Sequence, residues 1–174
     1  FEAITGISAR FFGPGEYPYK GKLRNQSLQS MGYILKNHGY ETSALHNHRA
    51  LFYNRNEVYA NLGFNTYTSV EYMNNIKKTP TNWCKDTVMI DDIMDIMNQS
   101  KGRDFMHIIS VEGHGSYPTE QVFKDPYTTV SCDDEATKWK YEYYLNECHE
   151  MDTFIGNLIG EIEATGEPTI LLIY

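Results

Sequence analysis

Helical segments alternate with short apolar runs along this 174-residue chain, and that alternation constrains the fold more than any other feature. Apolar residues recur at helical spacing in residues 28–35, 86–100 and 136–165. The strand-like runs are TSALH at 42–46, FNTYTSV at 64–70, DFMHIIS at 104–110 and TILLIY at 169–174. Such alternation is typical of a parallel sheet with helical crossovers. We therefore expect an α/β fold with mostly parallel strands, in which TILLIY forms a fully buried strand.

Capping and stop residues predict where the helices begin and end. Asn54 is expected to be an N-cap, with Glu57 three residues later completing a capping box. Gly63 and Gly166 follow periodic segments, where glycine commonly ends a helix. The Met-rich face of the 86–100 helix is expected to lie in the core. No repeat or linker interrupts the pattern, so residues 1–174 are expected to form a single partial domain, truncated at both ends.

Charge and composition exclude several classes of function. The chain has 15 Lys and Arg against 23 Asp and Glu, a net charge of −8, and its longest basic run is Lys77-Lys78. A nucleic-acid binder normally presents a basic face, so nucleic acid is excluded as a partner. No apolar run reaches the roughly 18 to 20 residues that cross a bilayer, so no transmembrane segment is expected in this chain. Cys84, Cys132 and Cys148 lack CxxC spacing, which argues against a zinc knuckle. For these three cysteines, the sequence is compatible either with one disulfide or with three buried thiols.

Polar side chains follow the end of the TSALH strand, where open parallel sheets bind their ligands. His46 ends that strand, and Tyr53 and Arg55 lie at the start of the next helix. A helix start offers free N–H groups, and arginine adds a planar fork suited to phosphate or sulfate. An anion pocket is therefore one interpretation. In the other, Arg55 pairs with surface carboxylates and His46 is a packed, hydrogen-bonded core histidine.

A second histidine, His114, lies between two glycines in SVEGHGSYP, just beyond the DFMHIIS strand. Glycine permits unusual backbone angles and close approach, so we expect an exposed imidazole there; a plain tight turn is the alternative. Glu112 would point to the opposite face of the strand. In NECHEMD at 146–152, successive helical residues point in different directions and cannot share one metal, so a solvated helix face is expected. Nucleophile-elbow, P-loop and GxGxxG motifs are absent.

Four segments, taken in order, resemble the lipoteichoic acid synthase and phosphoglycerol transferase branch of the sulfatase, or alkaline phosphatase-like, superfamily. They are HNHRALFYNR, LGFNTYTSVEY, SVEGHGSYP and the stretch from YLNECHEMD to TILLIY. The resemblance implies a portion of that superfamily's three-layer domain. It also implies an extracellular, membrane-anchored enzyme that moves glycerol phosphate from phosphatidylglycerol to a cell-envelope polymer or glycan. Its substrate partner would be an anionic lipid headgroup, or another phosphate or sulfate ester.

The family's substrate pattern is a histidine, an aromatic seven residues on, an arginine two further, and a later histidine in a strand-end loop. By resemblance these positions are His46, Tyr53, Arg55 and His114, with Tyr53 standing where tryptophan is often found. Arg55 would hold the phosphate, while His46 and His114 would donate hydrogen bonds to it or to the glycerol. Alternatives are an arylsulfatase or phosphodiesterase of the same superfamily, and a non-catalytic module that binds polyanions or glycans.

The family's catalytic groups are expected outside this chain. Its threonine nucleophile would precede Phe1, and the Asp-His pair that binds Mn²⁺ or Mg²⁺ would follow Tyr174. Thr5 lies on the wrong side of Phe1-Glu2 to be that nucleophile. The resemblance therefore implies no catalytic or metal-binding residue within residues 1–174, and no activity for this chain alone.

Overall fold

A computed structural model describes residues 1–21 and 24–174. These residues form two compact units: the first unit holds 1–74 and 95–109, and the second unit holds 75–94 and 110–174. The helices are α1 (Glu2–Thr5), α2 (Met31–Asn37), α3 (Arg55–Asn61), α4 (Met89–Gln99) and α5 (Glu135–Thr165). The strands are β1 (Tyr40–His46), β2 (Thr66–Ser69) and β3 (Arg103–Ile109).

The three strands form a parallel sheet in the order β2–β1–β3. His46 at the end of β1 pairs in register with Ser69 of β2 and with Ile109 of β3. All three carboxyl ends therefore lie in one row, the edge at which parallel sheets bind ligands. The α/β class with parallel strands predicted from the sequence is confirmed.

The core of the first unit lies between α3 and the sheet. β1 is the central strand, and residues 42–46 are buried in succession, as expected for a strand covered on both faces. Its polar residues are hydrogen bonded: Thr42 Oγ1 donates to Gly63 O over 3.0 Å, and Thr66 Oγ1 donates to Ser43 Oγ over 2.8 Å. The buried apolar cluster consists of Ile4, Ala44, Val58, Tyr59, Leu62 and Phe64.

Helix α2 approaches the end of α3 closely because it carries glycine at the contact. The Ser30 hydroxyl caps α2 by accepting from Tyr33 N and also donates to Leu62 O. A Cβ added to Gly32 would overlap that same carbonyl oxygen of Leu62. Since the overlapped atom is backbone, a side chain at this position requires α2 and α3 to move apart.

We expect Gly32→Ala to lower the free energy of unfolding by about 1 to 3 kcal/mol, the usual range for overpacking. Alanine favours a helix over glycine by up to about 1 kcal/mol, but the overlap outweighs that gain. Gly160→Ala in α5 is the matched control, because a Cβ there meets no atom within 4 Å and should stabilise the protein. Urea unfolding of both variants measures the difference. Equal effects of the two substitutions would show that α2 does not need this close approach.

The second unit is organised by α5, a helix of 31 residues. The Asp134 side chain caps its start by accepting from Thr137 N over 2.7 Å, and Gly166 ends it with a φ of 72°. Asn146 ties the preceding irregular segment to the helix. Its Oδ1 accepts from Tyr127 N over 2.6 Å, and its Nδ2 donates to Thr128 O over 2.8 Å. The buried side-chain amide of Asn146 thus provides the segment with hydrogen bonds that a neighbouring strand would otherwise provide.

Two predictions about secondary structure and capping are wrong. Residues 169–174 (TILLIY) do not form a buried strand; Ile170 is 97% exposed and Tyr174 79%. A strand needs a neighbour for its backbone groups, and among residues 1–21 and 24–174 none pairs with this segment. The capping box at α3 is also absent. Asn54 is left-handed and makes no side-chain cap, and Glu57 instead pairs with Arg24 over 2.9 Å.

The expectation for α4 is confirmed, whereas the cysteines match neither of the two alternatives left open, one disulfide or three buried thiols. The Met-rich face of α4 is buried at Met89 and Ile93, as predicted for a core helix. The three cysteines form no disulfide with one another: Cys84 is buried, Cys148 is half-buried and Cys132 is exposed. Across the described residues, no helix combines the length and apolar character needed to cross a membrane.

Candidate functional site

The first unit brings three of the four predicted site residues together at the carboxyl end of β1. His46 ends that strand, and the chain returns through Tyr53 and Asn54 to Arg55, the first residue of α3. Tyr53 and Asn54 have positive φ angles of 59° and 52°. Left-handed non-glycine residues cost about 1 to 3 kcal/mol each and persist only where their surroundings hold them. The surrounding structure therefore holds this turn in one conformation, and the turn sets the positions of Tyr53 and Arg55.

His46 is a buried, neutral imidazole. It is 2% exposed, and its Nδ1 lies 2.8 Å from Ile109 O. A carbonyl oxygen only accepts, so Nδ1 carries the proton and Nε2 is left as an acceptor. Burial, and then the charge of Arg55, lower the pKa of His46 to about 4. The expectation that His46 donates to a substrate is therefore replaced: it is packed and hydrogen bonded, and it offers an acceptor.

Arg55 is half-buried and has no acidic partner among the described residues. Its Nη1 donates to Phe52 O over 3.3 Å, and its guanidinium lies 5.3 Å from the centre of the Tyr53 ring. Its Nε is buried without a hydrogen-bond partner. No carboxylate in the described part of the chain forms an ion pair with Arg55. The described residues therefore give no support to the interpretation in which Arg55 pairs with surface carboxylates.

Two tyrosine hydroxyls that the sequence analysis did not single out lie in the same unit. Tyr59 and Tyr67 pack with ring centres 5.0 Å apart, and neither buried Oη has a hydrogen-bond partner among the described residues. Burial raises the pKa of Tyr59 well above its usual value and that of Tyr67 to about 12, so both remain O–H donors. Buried unpaired groups call for water or a ligand oxygen. One feature of the sequence could have identified Tyr59 as a site residue: it lies four residues after Arg55 and therefore on the same face of the helix.

Tyr17 and Lys20 were also missed by sequence reasoning. The Tyr17 ring stacks on Tyr53 with centres 5.6 Å apart, and Lys20 Nζ lies over both rings. Both residues belong to GPGEYPYK, a segment without periodicity and about 30 residues before Tyr53 in the chain. Nothing in the local sequence signals that contact.

His114, the fourth predicted residue, belongs to the second unit. Its ring is exposed, as expected, and packs against Trp83 with centres 4.5 Å apart. A Cβ on Gly113 would lie 3.1 Å from Met151 Sδ of α5, whereas one on Gly115 would meet open space. Close packing of α5 therefore explains the glycine at 113 without a ligand.

The second unit also holds a buried trio of carboxylates, Asp86, Glu112 and Glu147, none more than 1% exposed. Glu112 Oε2 accepts from Asp86 N over 2.6 Å, and Asp86 Oδ2 accepts from the Ser110 hydroxyl. The solvated helix face expected for NECHEMD describes Asp152, which is exposed, and in part Cys148, His149 and Glu150, which are half-buried; Glu147 in the same stretch is buried. No local pattern marks an acidic residue as buried when its partners are distant in the chain.

Burial raises the pKa of Glu112 to about 7, and the neighbouring charges of Asp86 and Glu147 add to the rise. Burial likewise raises the pKa of Glu147 to about 7. Glu112 Oε1 and Glu147 Oε2 have no hydrogen-bond partner among the described residues. The nearby cation, Lys85, forms its ion pair with Glu150 at 2.7 Å. Within this buried acidic cluster, Glu112 and Glu147 therefore keep their protons up to near neutral pH.

The described residues do not fit the divalent metal that the resemblance implies. Within 1–21 and 24–174, no three histidine, cysteine or acidic side chains are arranged to hold a metal ion. Asp86 Oδ2 accepts a hydrogen bond from Ser110 Oγ, and Glu112 Oε2 accepts one from Asp86 N. One oxygen of each of these two carboxylates is therefore engaged in a hydrogen bond within the second unit.

Comparison with known proteins finds relatives in sequence and solved structures with a similar fold. A protein of Rhizobium meliloti named for cyclic beta-1,2-glucan modification is 25% identical over 174 residues, all of this chain and 27% of that protein. The lipoteichoic acid synthase LtaP from Listeria monocytogenes superposes with a TM-score of 0.74 at 20% identity, covering 95% of this chain and 39% of that one.

A third similar protein is the Streptococcus pyogenes phosphoglycerol transferase GacH, solved in complex with sn-glycerol-1-phosphate. Its TM-score is 0.64 at 17% identity, covering 90% of this chain and 42% of that one. The chain spans about a quarter of the length of the curated relatives it matches. The sulfatase family model matches residues 1–174. This chain therefore belongs to the sulfatase family.

Proposed function

We propose that the protein containing this chain transfers glycerol phosphate from an anionic lipid to a cell-envelope polymer or glycan. The observation that carries the proposal is Arg55, a half-buried arginine that pairs with no acid in the described residues, beside a neutral His46 at the carboxyl ends of parallel strands. An unpaired arginine at that edge suits a phosphoryl group. The similarity to a synthase of lipoteichoic acid and to a phosphoglycerol transferase supports the same chemistry.

Each side chain of the first unit has a distinct role in this proposal. The Arg55 guanidinium binds two phosphoryl oxygens through its planar fork. His46 Nε2 accepts a hydrogen bond from a glycerol hydroxyl, because Nδ1 is committed to Ile109 O. The Tyr53 ring forms an apolar wall for the glycerol carbons. A neutral histidine and a cation together match a ligand that has hydroxyls at one end and an anion at the other.

The remaining parts of the proposal rest on the family pattern. His114, with its exposed ring held against Trp83, is proposed as a further substrate residue. The threonine nucleophile and the ligands of a Mn²⁺ or Mg²⁺ ion would be supplied by residues outside 1–174. The whole protein would be tethered at the extracellular face of the membrane, and residues 1–174 alone would be inactive.

A substrate panel tests this proposal on the full-length protein. Incubation with phosphatidylglycerol carrying a fluorescent acyl chain should release fluorescent diacylglycerol, while an aryl sulfate and an aryl phosphodiester should remain intact. The released diacylglycerol marks cleavage of the bond between phosphorus and the diacylglycerol oxygen. Preferential turnover of the sulfate or the diester would replace the proposal with one of those hydrolases. Retention of a teichoic acid or glycan without turnover would indicate a binding module.

A further inference from the structure

Lys20 and Tyr17 form a cationic cap on the ring of Tyr53. Tyr17 and Tyr53 stack with an interplanar angle of 24°, and Lys20 Nζ lies 4.9 Å from the first ring centre and 4.5 Å from the second. An ammonium over two aromatic faces is attracted to both. The lysine is therefore held beside the residue that the proposed function assigns to the substrate pocket.

Two cations consequently share one ring. Arg55 lies 5.3 Å from the centre of Tyr53, the same ring that Lys20 covers. In the part of the chain that the structure describes, neither cation forms an ion pair. Glu16, the nearest carboxylate in sequence to Lys20, accepts from Gly13 N instead, over 3.0 Å.

Because each cation lies within 5.3 Å of the centre of the Tyr53 ring, the two charges repel each other, and an anion bound near both would lower that repulsion. Building on the proposed function, we infer that Lys20 is a specificity-determining residue that supplies the second positive charge to the bound phosphoryl group. Tyr17 positions Lys20 through the stack with Tyr53. The pocket then selects by charge, so an anionic glycerol phosphate binds more tightly than uncharged glycerol.

Calorimetric titration of the full-length protein with sn-glycerol 1-phosphate tests the inference. Lys20→Met should weaken binding by about fivefold to tenfold, the effect of losing one near-surface charge interaction, and Lys20→Arg should restore most of it. The weakening should shrink as salt is raised, because salt screens exposed charges. Lys36→Met is the matched control, since Lys36 is an exposed lysine of α2 in the same unit.

The outcomes separate this inference from the proposed function. If the wild type binds sn-glycerol 1-phosphate and Lys20→Met binds it as tightly as Lys36→Met does, Lys20 has no role and the transferase proposal stands. If inorganic phosphate and sn-glycerol 1-phosphate both fail to bind the wild type, the phosphoryl pocket itself is rejected together with Lys20. A selective, salt-dependent loss in Lys20→Met that Lys20→Arg reverses supports the inference.

Discussion

Lowering the pH from about 7 to about 5 should stabilise the second unit and destabilise the first within one chain. The two responses differ in sign because the second unit buries carboxyl groups that hold protons, whereas the first buries imidazoles that exclude them. The residues concerned are Glu112 and Glu147 in the second unit and His46 and His107 in the first.

The sign for the second unit follows from the raised pKa values. The pKa of Glu112 and of Glu147 rises from 4.5 to about 7 on folding, chiefly through burial. Between those values the folded state keeps protons that the unfolded state releases. The stabilisation is therefore complete below the unfolded pKa and is lost as the pH rises towards 7. Each group contributes on the order of 1.4 kcal/mol per pKa unit.

The first unit responds in the opposite direction. Burial lowers the pKa of His46 and of His107 from 6.5 to about 4. Between these values the unfolded chain binds protons that the folded state cannot. Stability is therefore complete above the unfolded pKa and falls as the pH drops towards 4. Both windows overlap between about pH 4.5 and 6.5, so a single titration reports on both units.

Hydrogen exchange resolves the two units because it reads opening free energies by segment. Peptides from 110–165 should gain protection as the pH falls, and peptides from 40–46 and 103–109 should lose it, after correction for the intrinsic exchange rate. Replacing Glu112 and Glu147 together by glutamine should flatten only the second unit's response, since an amide keeps the shape but does not titrate. Glu161→Gln, at an exposed position of α5, is the control. Parallel shifts in both units would reject this account.

The order of elements and the location of His46 could be predicted from the sequence because both depend on local periodicity. Alternation of periods 3.6 and 2 predicted β1, α3 and β2, and the end of a parallel strand placed His46 at the ligand-binding edge. The prediction of a buried strand at residues 169–174 rested on the apolar pattern alone, and it is wrong. An apolar run becomes a strand only when a neighbouring strand pairs with it.

The buried polar groups could not be predicted, because their environment depends on residues far apart in sequence. Glu112 meets Asp86 across 26 positions, and no pattern near either residue distinguishes a buried carboxylate from a solvated one. Asn54 had the residue type of an N-cap, but the left-handed turn that directs Arg55 turned its side chain away from that role. The preference of a residue type for one local structure is overridden where a functional turn requires a different backbone geometry.

Replacing Arg55 by methionine should lower kcat/KM for phosphatidylglycerol about 10- to 100-fold, since a hydrogen bond to a charged group is worth roughly 1.5 to 3 kcal/mol. The kcat/KM of Arg55→Lys should lie between that of the wild type and that of Arg55→Met, because lysine keeps the positive charge but lacks the planar fork of arginine. The free energy of unfolding should change little, because Arg55 forms no ion pair among the described residues and packs mainly on Phe52 and Tyr53. Steady-state kinetics and urea unfolding measure the two quantities.

Arg24→Met is the matched control, because Arg24 pairs with Glu57 across 2.9 Å on the surface of the same unit. It should cost up to about 1 kcal/mol of stability and leave kcat/KM unchanged, the reverse of the Arg55 result. A further readout is the imidazole of His46. The charge of Arg55 is the second cause of its lowered pKa, after burial, so in Arg55→Met that pKa should rise, which an NMR titration detects. Unchanged kcat/KM with unchanged titration of His46 would mean that Arg55 acts on neither the substrate nor the histidine, and the pocket would have to be sought elsewhere.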